Sequence, residues 1–391
     1  MRLLLNKTIE LLNATRFNDW RYSFIPNIFG NIYLWLFLFN IPVSPKSVLL
    51  LTCSLITSVG FAALGYFINE FFDKKDDYLA GKLNKLTVIT PLKQFLLLLL
   101  ILACTFIPWV FLPKNDLSFA LMAIQITLFL LYSSPPFRFK KIWLAATIID
   151  SLYAYVVPFV LSSYTYYLFS PETPPSTLIS VILTVYMATL FLVGARNITI
   201  HNINDVFNDK RLGILTLPRR LGVVNTNAYL KSSIYIEFLL SVALCSLLSS
   251  FNLLFLFGTF IVIRQLITYH KKLIITRNGI LVNKTIRHAP DQLFQRVFSI
   301  LFLANLIFHD PIWSFLLVFH LFVFIPASAY KPIISWIVRA KIWLHKFNIQ
   351  LKHLLSLAIN YTIYFVFLLF GVNLIKEKKS AWQYLKTKIA S

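Results

Sequence analysis

Apolar runs of about 20 residues, the length needed to cross a bilayer, follow one another along almost the whole chain and leave little choice of fold. They read at 23–42, 47–72, 94–112, 116–134, 142–166, 176–200, 228–249 and 251–269. A shorter run follows at 291–308, and others at 311–330 and 353–375. In hydrocarbon every backbone N–H and C=O must find its partner inside the segment, which helices achieve. The expected class is therefore an all-α polytopic membrane protein. Composition agrees: 58% of the 391 residues are hydrophobic and 13% are charged, against about 25% charged in soluble domains. Residues 1–21 mix charges through a short amphipathic stretch and lack the apolar core of a cleaved leader.

The net charge of +22 lies between the apolar runs, not on them. Loops at 74–93, 138–141, 210–231 and 264–296 carry Lys and Arg, and with eight initial spans they fall on one side together with Lys7, Arg16 and Arg21. The positive-inside rule makes that side cytoplasmic. The charge thus reflects topology and anionic lipid, and no nucleic-acid partner is expected. The Ser/Thr/Tyr/Pro-rich tract 162–176 reads as a loop on the opposite side. Cys53, Cys104 and Cys245 each stand alone in an apolar run and imply neither a disulfide framework nor a metal site.

Against this background the acids are unevenly placed. Six of the 15 Asp and Glu residues lie in two windows, Asn69–Asp77 and Asn202–Asp209. Carboxylates at the end of a membrane helix are costly unless paired, solvated or metal-bound. Asn69, Asp73 and Asp77 repeat every four residues, so a helix lines them along one face, with Asp76 beside it. Asn202, Asp205 and Asp209 do the same. Asp73, Asp77 and Gly81 recur 132 residues later as Asp205, Asp209 and Gly213, an echo suggesting two related helical halves. Two such faces meeting in a bundle would make an acidic, oxygen-rich pocket. Hard oxygen ligands suit Mg²⁺, which is commonly shared between carboxylates and a phosphate. Solvated helix ends beside Lys74, Lys75, Lys210 and Arg211 are the alternative for either window alone.

A third element closes the fourth run on the same side: Tyr132-Ser133-Ser134-Pro135-Pro136-Phe137-Arg138-Phe139-Lys140-Lys141. Two prolines stop the helix. Arg138 and Lys140 or Lys141 can then meet a phosphate, Arg as a fork and Lys as a point charge.

In these three ordered motifs the chain resembles the UbiA superfamily of intramembrane prenyltransferases. Asn69, Glu70, Asp73 and Asp77 match the first family motif. Asp205, Asp209, Gly213 and Thr216-Leu217-Pro218 match the second, and Tyr132 to Lys140 match the Tyr-Ser-x-Pro-Pro-x-Arg-x-Lys loop. The resemblance implies a bundle of nine transmembrane helices around a central cavity over residues 20–308. Residues 309–391 would form a C-terminal helical extension, with an amphipathic surface helix at 331–352. It also implies Mg²⁺-dependent transfer of a prenyl group from a polyprenyl diphosphate to an acceptor within the membrane. Asp73, Asp77, Asp205 and Asp209 would be metal ligands and the catalytic set. Asn69, Lys82, Tyr132, Arg138, Lys140 and Asn202 would bind substrate. A multi-pass protein of the cell (inner) membrane with its acidic motifs at the cytoplasmic side is expected.

Two departures bear on function. Glu70 replaces the usual Asp, and Asn202 stands where many members carry another acid. His201 reads either as an acceptor-side base or as a hydrogen-bonded helix histidine. Asp150, a lone acid within the fifth run, reads either as an acceptor contact or as a structural pair. Terpene cyclisation on the same scaffold is the nearest alternative activity; a transporter or lipid-binding protein is the non-enzymatic one.

Overall fold

The computed structural model describes residues 14–17, 25–170, 176–275 and 297–324. The expected surface helix at 331–352, the run at 353–375 and most of the extension lie outside the described residues. The chain divides into two units, Met1–Ser314 and Phe315–Ser391. The first carries every candidate site residue.

The described residues form helices and no sheet. They are α1 (Ile25–Leu38), α2 (Pro45–Ala80), α3 (Pro91–Phe106), α4 (Asp116–Ser133), α5 (Trp143–Phe169), α6 (Thr177–Asn204), α7 (Leu217–Leu248), α8 (Leu254–Ile275) and α9 (Ser299–His309), with a short helical segment Val206–Arg211 that follows α6 after a break at Asp205. In the second unit α10 spans Ser314–Phe324. Among the described residues six helices, α2 to α7, are long and apolar enough to span a bilayer, α3 with the 3₁₀ turn that extends it to Val110. The chain is an integral membrane protein. The other apolar helices are shorter, so length alone does not establish the expected count of nine.

Local chemistry sets the helix starts. Ser44 caps α2 by accepting from the Ser47 N–H, with Pro45 at the first helical position. Thr90 and Pro91 do the same for α3, and Asn115 with Ser118 forms a capping box for α4. Packing then orders the bundle. α6 is central and lies against α5 and α7; α2 pairs with α3, and α1 with α9 and α5. Gly60 permits the close α2–α3 approach, because a Cβ there would lie 2.6 Å from the Thr105 backbone nitrogen. Thr57 Oγ1 then donates to the Thr105 carbonyl at 2.5 Å and accepts from Trp109 Nε1 at 2.9 Å.

Two boundaries differ from the sequence reading. The helix α5 continues to Phe169, so residues 162–169 of the tract read as a loop are helical. Their hydroxyls bond inward to the preceding turn, Ser163 to Phe159 O at 2.6 Å and Thr165 to Leu161 O at 2.8 Å, which lets polar side chains sit in a helix. Likewise α2 runs unbroken to Ala80 and α7 begins at Leu217, so much of both charged loops is helix.

The fifth helix carries an internal irregularity. Residues Leu152–Val156 form a π turn, in which the Val157 N–H reaches the Leu152 carbonyl. The Tyr153 carbonyl would then need the N–H of residue 158, which is proline and has none. Gln125 Nε2 of α4 supplies the missing donor at 2.7 Å. One side chain thus satisfies the freed carbonyl and ties α4 to α5.

Candidate active site

Both acidic windows end their helical runs in the same way. After Asp73 and Asp77, Gly81 turns left-handed at φ 70°, its N–H bonds the Tyr78 carbonyl, and the Lys82 N–H bonds the Asp77 carbonyl. After Asp205 and Asp209, Gly213 turns at φ 69°, its N–H bonds the Lys210 carbonyl, and the Ile214 N–H bonds the Asp209 carbonyl. These are two copies of one Schellman ending, so the sequence echo is a structural one. An isolated parallel bridge, Ile142 to Leu215, joins the loop after Lys141 to the loop after Gly213.

The basic residues expected beside phosphate lie on the first acidic helix. Arg138, held at φ 47°, donates to the Phe72 carbonyl at 2.9 Å and pairs with Asp73 at 3.2 Å and Asp76 at 3.1 Å. Lys140 bonds Asp73 and donates to Asn69 Oδ1 at 3.3 Å. Lys141 lies 3.3 Å from Asp76. Ser133 also donates to Asn69 Oδ1, at 3.1 Å. Burial lowers the Lys140 pKa, and the Asp73 carboxylate opposes that shift.

The second acidic face is held from both sides. Lys82 Nζ reaches Asp205 Oδ2 at 2.9 Å, and His201 Nε2 lies 3.4 Å from the same oxygen. Burial raises the Asp205 pKa, but His201 and Lys82 outweigh it, and the net shift is downward. Asp209 is buried and accepts from Thr216 Oγ1 at 3.0 Å. Burial, aided by the Asp205 charge, raises its pKa. Lys82 and Lys140 stand between the windows: the Lys82 charge acts on Asp77, Asp205 and Asp209, and that of Lys140 on Asp77 and His201.

Several contributors have no obvious sequence mark. Asn84 donates to Asp77 Oδ2 and to the Glu70 carbonyl, each at 2.8 Å. Glu70 accepts from the Lys85 N–H at 2.8 Å and faces Arg16 at 3.5 Å. The longer Glu70 arm thus fastens the loop after Gly81. Thr216, noted only as part of a motif, anchors Asp209. Two buried donors near the acids, Arg138 Nε and Asn202 Nδ2, have no hydrogen-bond partner among the described residues.

Below the acids lies a cavity of about 420 Å³. Its polar lining includes Arg16, Asn69, Tyr132, Asp150, His201 and Asn204. Phe61, Phe129, Trp109, Leu112, Leu161 and Ile198 line much of the rest. Among the described residues no three Asp, Glu, His or Cys side chains converge closely enough to hold a metal ion by themselves. The donor set nonetheless suits a hard cation: carboxylates and an amide oxygen, with orphan N–H groups for anionic oxygen.

A family model described as the UbiA prenyltransferase family matches residues 31–284. No curated protein matches the chain. Among solved structures, a UbiA homologue from Archaeoglobus fulgidus bound to GPP and Mg²⁺ aligns with a TM-score of 0.52 at 19% identity. The alignment covers 76% of this chain and 99% of that one. The same homologue bound to DMAPP and Mg²⁺ gives 0.52 at 18% identity, with 76% and 99% covered. An apo UbiA homologue from Aeropyrum pernix K1 gives 0.52 at 16%, with 73% and 98% covered. At such identities the likeness is one of fold.

Proposed function

The chain belongs to the UbiA prenyltransferase family, and from that premise we propose that it transfers a prenyl group from a prenyl diphosphate, bound with Mg²⁺ at the acidic rim, to an acceptor in the cavity below. The observation that carries this reading is the pairing of Lys82 with Asp205 and of Lys140 with Asn69, a residue that also lines the cavity, between two acidic helix ends. The relatives solved with GPP or DMAPP together with Mg²⁺ support it.

Asp73, Asp77, Asp205 and Asp209 would hold Mg²⁺, with Asn69 beside them. Arg138, Lys140 and Lys82 would turn from carboxylates to the diphosphate, joined by the orphan donors Arg138 Nε and Asn202 Nδ2. Tyr132 would close the donor site from the cavity side. Bound Mg²⁺ supplies charge neutralisation for the departing diphosphate. The lysines and Arg138 add fixed positive charge where that negative charge grows. The cavity walls would exclude water from the allylic cation, and aromatic rings of the lining such as Phe129 and Tyr66 could offer it a stabilising face. By the positive-inside rule the rim would face the cytoplasm.

The test uses purified full-length protein in detergent with GPP, Mg²⁺ and a lipid extract of the native membrane as the source of acceptor. Diphosphate release is expected with Mg²⁺ and not with EDTA, and Asp73→Ala and Asp205→Ala should each abolish it. Unchanged release in both variants would remove the acidic rim from the reaction.

A further inference from the structure

One intramembrane acid takes no part in the rim. Asp150 lies within α5, on the turn before the π irregularity, and lines the cavity. The Tyr153 hydroxyl donates to its Oδ1. Among the described residues Oδ2 has no hydrogen-bond partner, and no Lys or Arg lies within ion-pair distance. The two basic groups on the cavity wall, Arg16 and His201, face Glu70 and Asp205. An acid at membrane depth without a cation is costly and marks function by default. A structural pair with a neighbouring helix, the other reading of Asp150, is not what the described residues form.

The surroundings are built around this group. The π turn brings the consecutive residues Tyr153, Ala154 and Tyr155 all to the cavity wall, a wider arc than a regular helix offers one face. Gln125 fixes that turn through the Tyr153 carbonyl. Phe129 and Tyr132 pack edge-on against the Tyr153 ring, each with centroids 5.2 Å apart. Tyr153 is therefore held on three sides and holds Asp150 in turn. Tyr132 belongs to the Tyr-Ser-x-Pro-Pro loop, so the acid sits directly inward of the proposed donor site.

We infer that Asp150 is the proton acceptor for the second substrate, and that this substrate is an uncharged molecule whose nucleophile is a hydroxyl or an amine. The inference rests on the prenyl-transfer reading above. In the step, a lone pair on the acceptor oxygen or nitrogen forms a bond to C1 of the prenyl group. The C1–O bond breaks, and its electron pair leaves with the diphosphate. The proton on the acceptor heteroatom passes to Asp150 Oδ2, giving a neutral carboxylic acid and a prenyl ether or amine. The Tyr153 O–H holds the carboxylate in place before transfer. An anionic acceptor is disfavoured, because a like charge beside Asp150 in a low-dielectric cavity is repelled strongly.

The experiment has two arms. A deletion strain carries wild type, Asp150→Asn or Asp150→Glu, and its prenylated lipids are quantified and fragmented by mass spectrometry. Each purified full-length protein is also titrated with GPP in the presence of Mg²⁺. The expected result is that Asp150→Asn keeps wild-type donor affinity while product formation falls roughly 10²–10⁴-fold, the range for loss of a general base. Asp150→Glu recovers part of the product, and the wild-type product fragments to a neutral alcohol, phenol or amine. Wild-type product levels in Asp150→Asn, loss of its donor affinity, or an acceptor bearing a carboxylate or phosphate would each overturn the assignment. A wild type that binds no GPP with Mg²⁺ would instead overturn the transfer reading, and this inference with it.

Discussion

Lys82 Nζ lies 2.9 Å from Asp205 Oδ2, joining the loop behind the first acidic helix to the second acidic window 123 residues later. The pair is partly open, with the lysine 39% and the aspartate 24% exposed. Solvent screening limits such a pair to about 0–1 kcal/mol of stability. Lys82→Ala should therefore leave the detergent melting temperature almost unchanged. It should weaken Mg²⁺-dependent GPP binding by about tenfold, the equivalent of one charge-assisted hydrogen bond. Thermal unfolding and a binding titration on the same preparation separate the two effects.

A second ion pair behaves oppositely. Arg196 of α6 and Glu237 of α7 are fully buried, with Nε 2.8 Å and 3.1 Å from the two carboxylate oxygens. Arg196 Nη1 also donates to Asn197, which donates to Tyr155 on the cavity wall, each at 2.8 Å. Removing one partner strands a charge and costs about 3–5 kcal/mol, whereas replacing both with apolar groups costs far less. Arg196→Met and Glu237→Leu should each lower thermal stability sharply, and the double variant should be more stable than either. Equal losses that simply add would show that the two charges are not coupled.

The π turn offers a third check. Gln125→Leu removes the only donor described at the Tyr153 carbonyl and should destabilise by about 1–3 kcal/mol, the cost of an unsatisfied buried acceptor. Pro158→Ala restores a backbone N–H at the position a π turn needs. The loss from Gln125→Leu should shrink in the Pro158→Ala background, measured as a double-mutant cycle in thermal unfolding.

Lys140 gives a pH signature. Burial lowers its pKa, so its ammonium loses the proton at a lower pH than an exposed lysine, whose pKa is about 10.4. As pH rises through that lowered value the charge proposed to face diphosphate is lost, and turnover should fall. Lys140→Arg keeps its charge throughout. That variant should be slower at neutral pH but flat across the alkaline range where wild type declines, as read from a pH–rate profile.

The periodicity of Asn69, Asp73 and Asp77 was readable because a helix converts a four-residue spacing into a face, and the helix does run unbroken through it. The Gly81 and Gly213 echo was readable for a similar reason, since a left-handed helix end favours glycine. What lay hidden was which side chains pair, whether across 67 residues as for Lys140 or back over seven as for Asn84 and Thr216. No local pattern announces that Lys140 meets Asp73, that Asn84 bridges Asp77 and Glu70, or that Thr216 holds Asp209. The residues read as a loop at 162–169 are helical because their hydroxyls bond within the helix, and composition does not report that. Glu237 was available as a signal: an acid inside an apolar run, like Asp150, asks for a partner, and Arg196 on the preceding span was the candidate. Pro158 within the fifth run likewise hinted at a broken helix.

Most rim carboxylates described here already carry a cation supplied by the chain: Arg138, Lys140 and Lys141 at Asp73 and Asp76, Arg16 at Glu70, and Lys82 at Asp205. Loading the proposed site is then an ion exchange more than a simple attraction. The incoming metal takes over the carboxylates, the released ammonium and guanidinium groups turn to the incoming anion, and the rim ends as nearly electroneutral as it began. Partners swapped within a few ångströms are poorly screened by bulk salt, so donor affinity should depend only weakly on ionic strength. Metal and diphosphate should also bind far better together than either does alone, because each frees the counter-charges that the other needs.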